Sequence, residues 1–196
     1  MAWFKKTGME STVKELAKLF KKMVKNHYTF GAIWKNIALG QKAFEMMKAL
    51  PDTVEGEFDT LEEKAALLGK MLGQMEETLS PRFCIEVREY MQALDAGDES
   101  NRKALEQLRD FIDLDLPMEE YCKKYGRHLK FDPVERTREW EDIICKVEEE
   151  CEKKLKGERR GMGFCFMYWM VKGNVLGKYG IQWDSPSVMN PRVRFD

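Results

Sequence analysis

Two pairs of carboxylates stand at helical spacing in this chain, Glu86-x-x-Glu89 and Glu139-x-x-Asp142. Residues three apart share a helix face, so two such helices side by side would offer four carboxylates, a hard-oxygen set suited to magnesium and, through it, to a polyphosphate. Other reactive side chains are thinly spread. His27 and His128 follow Val24 and Tyr125 by three residues, so the Glu-x-x-His pattern of di-iron bundles is absent. His27 falls on an apolar helix face and is expected to be a satisfied core histidine, and His128 lies near a helix end, where the macrodipole favours its charged form. Cys145 and Cys151, about 240° apart round a helix, cannot clasp one ion together. With no Gly-flanked Ser or Cys as a nucleophile, the sequence favours a protein without catalytic activity, resident metal or cofactor.

The two carboxylate pairs resemble the ExxE and ExxD motifs of all-α nucleotide pyrophosphohydrolases of the MazG and dimeric dUTPase kind. The resemblance covers these two motifs alone. It implies a Mg-dependent nucleotide hydrolase in which Glu86, Glu89, Glu139 and Asp142 hold the metal. Against it, Cys84, Val87, Met91 and Leu94 mark the buried face of the helix carrying the first pair, so Glu86 and Glu89 are expected to face solvent.

Positive charge is better organised. Lys14, Lys18, Lys21 and Lys25 recur at i, i+4, i+7 and i+11, a basic stripe opposite an apolar one, with Lys5, Lys6 and Lys22 beside it. Such a face suits non-specific attraction to nucleic acid or another polyanion; a solvated face, or one docked on the acidic segment 52–63, is the plainer expectation. Arg159 and Arg160 precede the Gly161-Met162-Gly163 entry to a helix, whose N-terminus could receive an anion.

The charges also divide by region. The net charge is −1, yet it runs +7 over residues 1–50, −9 over 51–100, −4 over 101–150 and +5 over 151–196. The cysteines Cys84, Cys122, Cys145, Cys151 and Cys165 are odd in number, unpaired by spacing and set on apolar helix faces, which reads as reduced core thiols. The first residues lack the apolar region of a signal peptide, and no segment has the length to span a bilayer, so a cytoplasmic location is expected.

Helices must position all of these groups. Lys, Glu, Leu and Met outweigh Thr, Val and Ile, and the spacing predicts an all-α fold of seven or eight helices in one domain, 1–196. A capping box at Thr12 and Glu15 opens the first helix, with Val13, Leu16, Phe20, Met23, Val24 and His27 facing the core. A second covers 31–50, loosened at Gly40 and stopped by Pro51. Further starts are predicted at Thr60 with Glu63, at Ser80-Pro81, after the ALDAGDES break, at Pro117 and at Asp132-Pro133. Gly161 to Val171, free of charge throughout, predicts a helix at 161–178 buried on every face at the centre of the fold. The tail 179–196 is too apolar to hang free and should pack on the body, leaving Trp183, Met189, Val193 and Phe195 as an interface for a partner or a second copy. The composite expectation is a protein-interaction or adaptor protein.

Overall fold

The computed structural model describes residues 2–50 and 60–195, and the side chains of 11–50 and 63–195. Among them every regular element is helical, and the all-α expectation is met. The chain divides into two compact units, 1–106 and 107–196.

In the first unit α1 (Ala2–His27) packs on α2 (Asn36–Lys48), α2 on α3 (Thr60–Leu72) and α3 on α4 (Pro81–Leu94). The Thr12–Glu15 box does not open α1, which already begins at Ala2. Glu15 instead meets Lys42 of α2 at 2.6 Å. Leu16, Leu19 and Met23 form the buried face of α1, whereas Val13 and Val24 are exposed, a correction of the predicted stripe. Gly40 does not loosen α2, and the end of the Met75 side chain lies over it, its sulfur 2.8 Å from where a Cβ would stand. Phe44 then meets Phe83 and Tyr90 of α4 edge-on, at 5.9 and 5.6 Å between ring centroids.

Buried Asn36 fixes the register of these helices. Its Nδ2 donates to Met23 O at 2.9 Å and to Gln74 O at 2.7 Å, while its Oδ1 accepts from Asn26 at 3.0 Å. His27 is only half-buried, and its enclosed Nδ1 has no hydrogen-bond partner among the described residues, so it is not the satisfied core histidine expected. The predicted cap at Thr60 and most of the acidic segment 52–63 lie outside the described side chains.

α5 (Glu99–Ile112) crosses the boundary between the units. The second unit continues with α6 (Met118–Lys124), α7 (Arg138–Lys154), α8 (Phe164–Lys178) and the short α9 (Pro186–Met189). The α7 start is a correction. Asp132 accepts from Val134 N at 2.9 Å and opens only a 3-10 turn, Pro133–Arg136; Thr137 then caps α7 by accepting from Trp140 N at 3.2 Å. Arg136, 2 % exposed, donates to the carbonyls of Phe111 at 2.5 Å, Leu116 at 2.7 Å and Asp110 at 2.9 Å, and to that of Asp113. One guanidinium thereby bonds to two carbonyls in the last turn of α5 and two in the segment just after it.

The tail packs on this unit as expected. Asn190 pairs twice with the Lys130 backbone, accepting from its N–H at 2.9 Å and donating to its carbonyl at 2.8 Å. Asp184 N donates to Asp132 at 2.6 Å, and Phe195 meets Trp169 edge-on at 5.1 Å.

Candidate functional site

α8 is not buried on every face. Phe164, Lys172, Val175 and Leu176 are buried, but Phe166 is 46 % exposed and Met170 62 %. α7 packs along one side of α8. On α8, Phe166, Met170, Gly173 and Asn174 recur at helical spacing, and together with Trp169, Trp183, Ser185, Ser187 and Val188 they line a groove of about 350 Å³. No lining residue is charged.

Beneath the groove wall lies a buried polar cluster. Tyr168 and Lys172, four apart on α8, both face Glu148 of α7. Lys172 Nζ donates to Glu148 at 2.8 Å, and the Tyr168 hydroxyl lies 2.6 Å from both carboxylate oxygens. The ammonium also lies 5.0 Å from the Trp140 ring centroid, 5.5 Å from that of Trp183 and 5.7 Å from that of Tyr168, an internal aromatic cage. Trp183 is held from a second side, since its Nε1 donates to Glu135 at 2.8 Å and its ring leans on Trp140 at 6.1 Å. The groove wall is thus fixed before anything enters the groove.

This surrounding shifts the neighbouring acids. Burial pushes the Glu135 carboxyl above the usual carboxylate range, opposed by the Trp183 indole and the Lys172 charge. Burial, reinforced by the Glu148 charge, pushes the Tyr168 hydroxyl far up and the Cys151 thiol from its ordinary 9.0 to about 11. The cage is built to hold one charge pair in place, and its lysine is too enclosed to meet a substrate.

Cys151 gives a pH prediction. Its folded pKa lies above the unfolded value, so its contribution to stability is complete below pH 9 and declines as the unfolded thiol ionises while the folded one does not. Urea unfolding at about pH 8 and about pH 10.5 should show an alkaline loss in the parent that exceeds the loss in Cys151→Ala by about 2 kcal/mol. Equal losses would remove this cause.

No family model, curated protein or solved structure matches the chain.

The predicted site residues scatter over the two units. Lys14, Lys18, Lys21 and Lys25 are all exposed along α1 in the first unit. Arg159 and Arg160, in the second, are exposed at the approach to α8, where Arg160 lies 5.8 Å from the Phe164 ring. Glu86 and Glu89 are exposed on α4, as expected, with Glu86 3.6 Å from Lys48, and Glu139 and Asp142 are exposed on α7. Among the described residues no group of three or more His, Cys, Asp and Glu is placed to hold a metal ion. Glu86 and Glu89 belong to the first unit and Glu139 and Asp142 to the second. No described helix is long and apolar enough to cross a membrane. Of the predicted interface residues, Trp183 lines the groove and Val193 is exposed, but Met189 packs on the cluster of Phe111, Met118, Tyr121 and Cys122, and Phe195 is half-buried on Trp169. Phe166 and Met170 were missed, because an evenly apolar segment carries no periodicity to show which side stays outside.

Proposed function

We propose that this chain is a non-catalytic protein-interaction module whose α8–α9 groove receives an uncharged apolar helix face of a protein partner. The supporting observation is the combination of a charge-free lining with large side chains left in water on a fixed base: Met170 at 62 %, Val188 at 58 % and Phe166 at 46 % exposure. A charged segment entering such a groove would lose hydration without gaining a partner, so the lining selects neutral residues. Phe166, Met170 and Gly173 repeat along α8 at the spacing at which a partner helix presents its own anchors. The preset Trp183 wall limits the ordering cost on binding. A reducing, cytoplasmic setting belongs to this reading, supported by five cysteines with no disulfide between them.

A phage-displayed library of helical peptides, selected against the full chain, tests it. Peptides with large apolar residues at i and i+4 and no charge on that face should be enriched, and Met170→Glu should weaken their binding about 30-fold, the effect of losing a central contact. No enrichment beyond that seen on the Met170→Glu protein would overturn the reading. Light scattering in parallel separates a second copy from a foreign partner: a dimer that Met170→Glu converts to monomer would replace the partner helix with self-association.

A further inference from the structure

α1 keeps a second exposed feature that the groove does not use. At about 100° per residue, Lys14, Lys18, Lys21, Lys25 and Tyr28 fall within about 80° of arc, spread over about 20 Å of helix. Tyr28 lies just past the end of α1, but its N–H still bonds to Val24 O at 3.2 Å, so it continues the helical phase. It is 82 % exposed, with His27 edge-on against it at 5.0 Å between centroids, and Phe30 at the same end is 69 % exposed. The four lysines are exposed, and Glu15, between Lys14 and Lys18 in the chain, is paired with Lys42 of α2.

We infer that the first unit binds single-stranded nucleic acid along this stripe, with the four lysines on successive phosphates and Tyr28 stacked on an unpaired base. The lysines supply attraction to the backbone without reading sequence. The aromatic ring at the end of the line selects a single strand over a duplex, whose bases are already stacked and closed to it. A membrane surface fits less well. A helix lying on a bilayer sinks its apolar face into the lipid, but Leu16, Leu19 and Met23 are committed to the core of the unit, and of the predicted apolar stripe only Val13 and Val24 stay exposed.

Fluorescence anisotropy of the full chain with fluorescein-labelled oligo(dT) and oligo(U) of about 20 nucleotides tests this. Binding is expected at about 50 mM salt, with log affinity falling against log salt at a slope near −3, that of about four neutralised phosphates on a single strand. Lys14→Glu with Lys21→Glu should weaken binding at least tenfold and flatten the slope. Tyr28→Ala should weaken it about tenfold with the slope unchanged, and Tyr28→Phe should restore it. All these positions are exposed, so helicity by circular dichroism should match the parent. The inference is overturned by no binding at low salt, by equal affinity for a duplex of the same length with no effect of Tyr28→Ala, or by binding to phosphatidylserine vesicles without binding to either oligonucleotide.

Discussion

Lys172→Met should destabilise the second unit by about 3–5 kcal/mol in guanidinium unfolding, and adding Glu148→Gln should recover most of that loss. The asymmetry follows from the geometry. The single change leaves a Glu148 carboxylate 8 % exposed with only the Tyr168 hydroxyl as its remaining donor among these contacts, a charge separated from water and from its counterion. In the double variant the site is neutral: glutamine still accepts from Tyr168, and methionine fills the space between Trp140 and Trp183. Taking the pair out together costs little because the attraction between buried ions is largely offset by the hydration both gave up. A loss below about 1 kcal/mol for Lys172→Met would mean that the pair is not formed in solution.

Arg136→Ala should be comparably severe, at about 3–5 kcal/mol, and Arg136→Lys should recover less than half of it, read by the same unfolding measurement. Four carbonyls, those of Asp110, Phe111, Asp113 and Leu116, accept from one guanidinium. An ammonium is a point charge with three protons, without the flat fork that reaches several carbonyls at once. If Arg136→Lys were as stable as the parent, the charge and not the fork geometry would be what matters.

These two centres were the least legible parts of the sequence, for a shared physical reason. A lysine or arginine within a helix-rich chain reads as solvent-facing, and what reverses that reading is a partner remote in sequence: Glu148 stands 24 residues before Lys172, and the carbonyls held by Arg136 have no side-chain signature at all. The one available sign was that Lys172 is the sole charge between Gly161 and Gly177. Local signals travelled better. Spacing and prolines located most helices, and Ser80-Pro81 marks the start of α4. Even there, competition between neighbours decided boundaries: Asp132 won a 3-10 turn and Thr137 the helix. The lysine stripe was legible from spacing alone, whereas the alignment of Tyr28 with it was not, since phase continuing past a terminus depends on backbone geometry.

The cysteines divide unevenly between the units: Cys84, in the first, is fully buried, while Cys122, Cys145, Cys151 and Cys165 all belong to the second. Alkylation under native conditions therefore reports on each unit separately. Modification of Cys84 timed by mass spectrometry is a clock for transient opening of the first unit alone, and Cys151 keeps the corresponding time for the second. The two clocks running at one rate would identify a single cooperative opening, and two rates would identify independent ones.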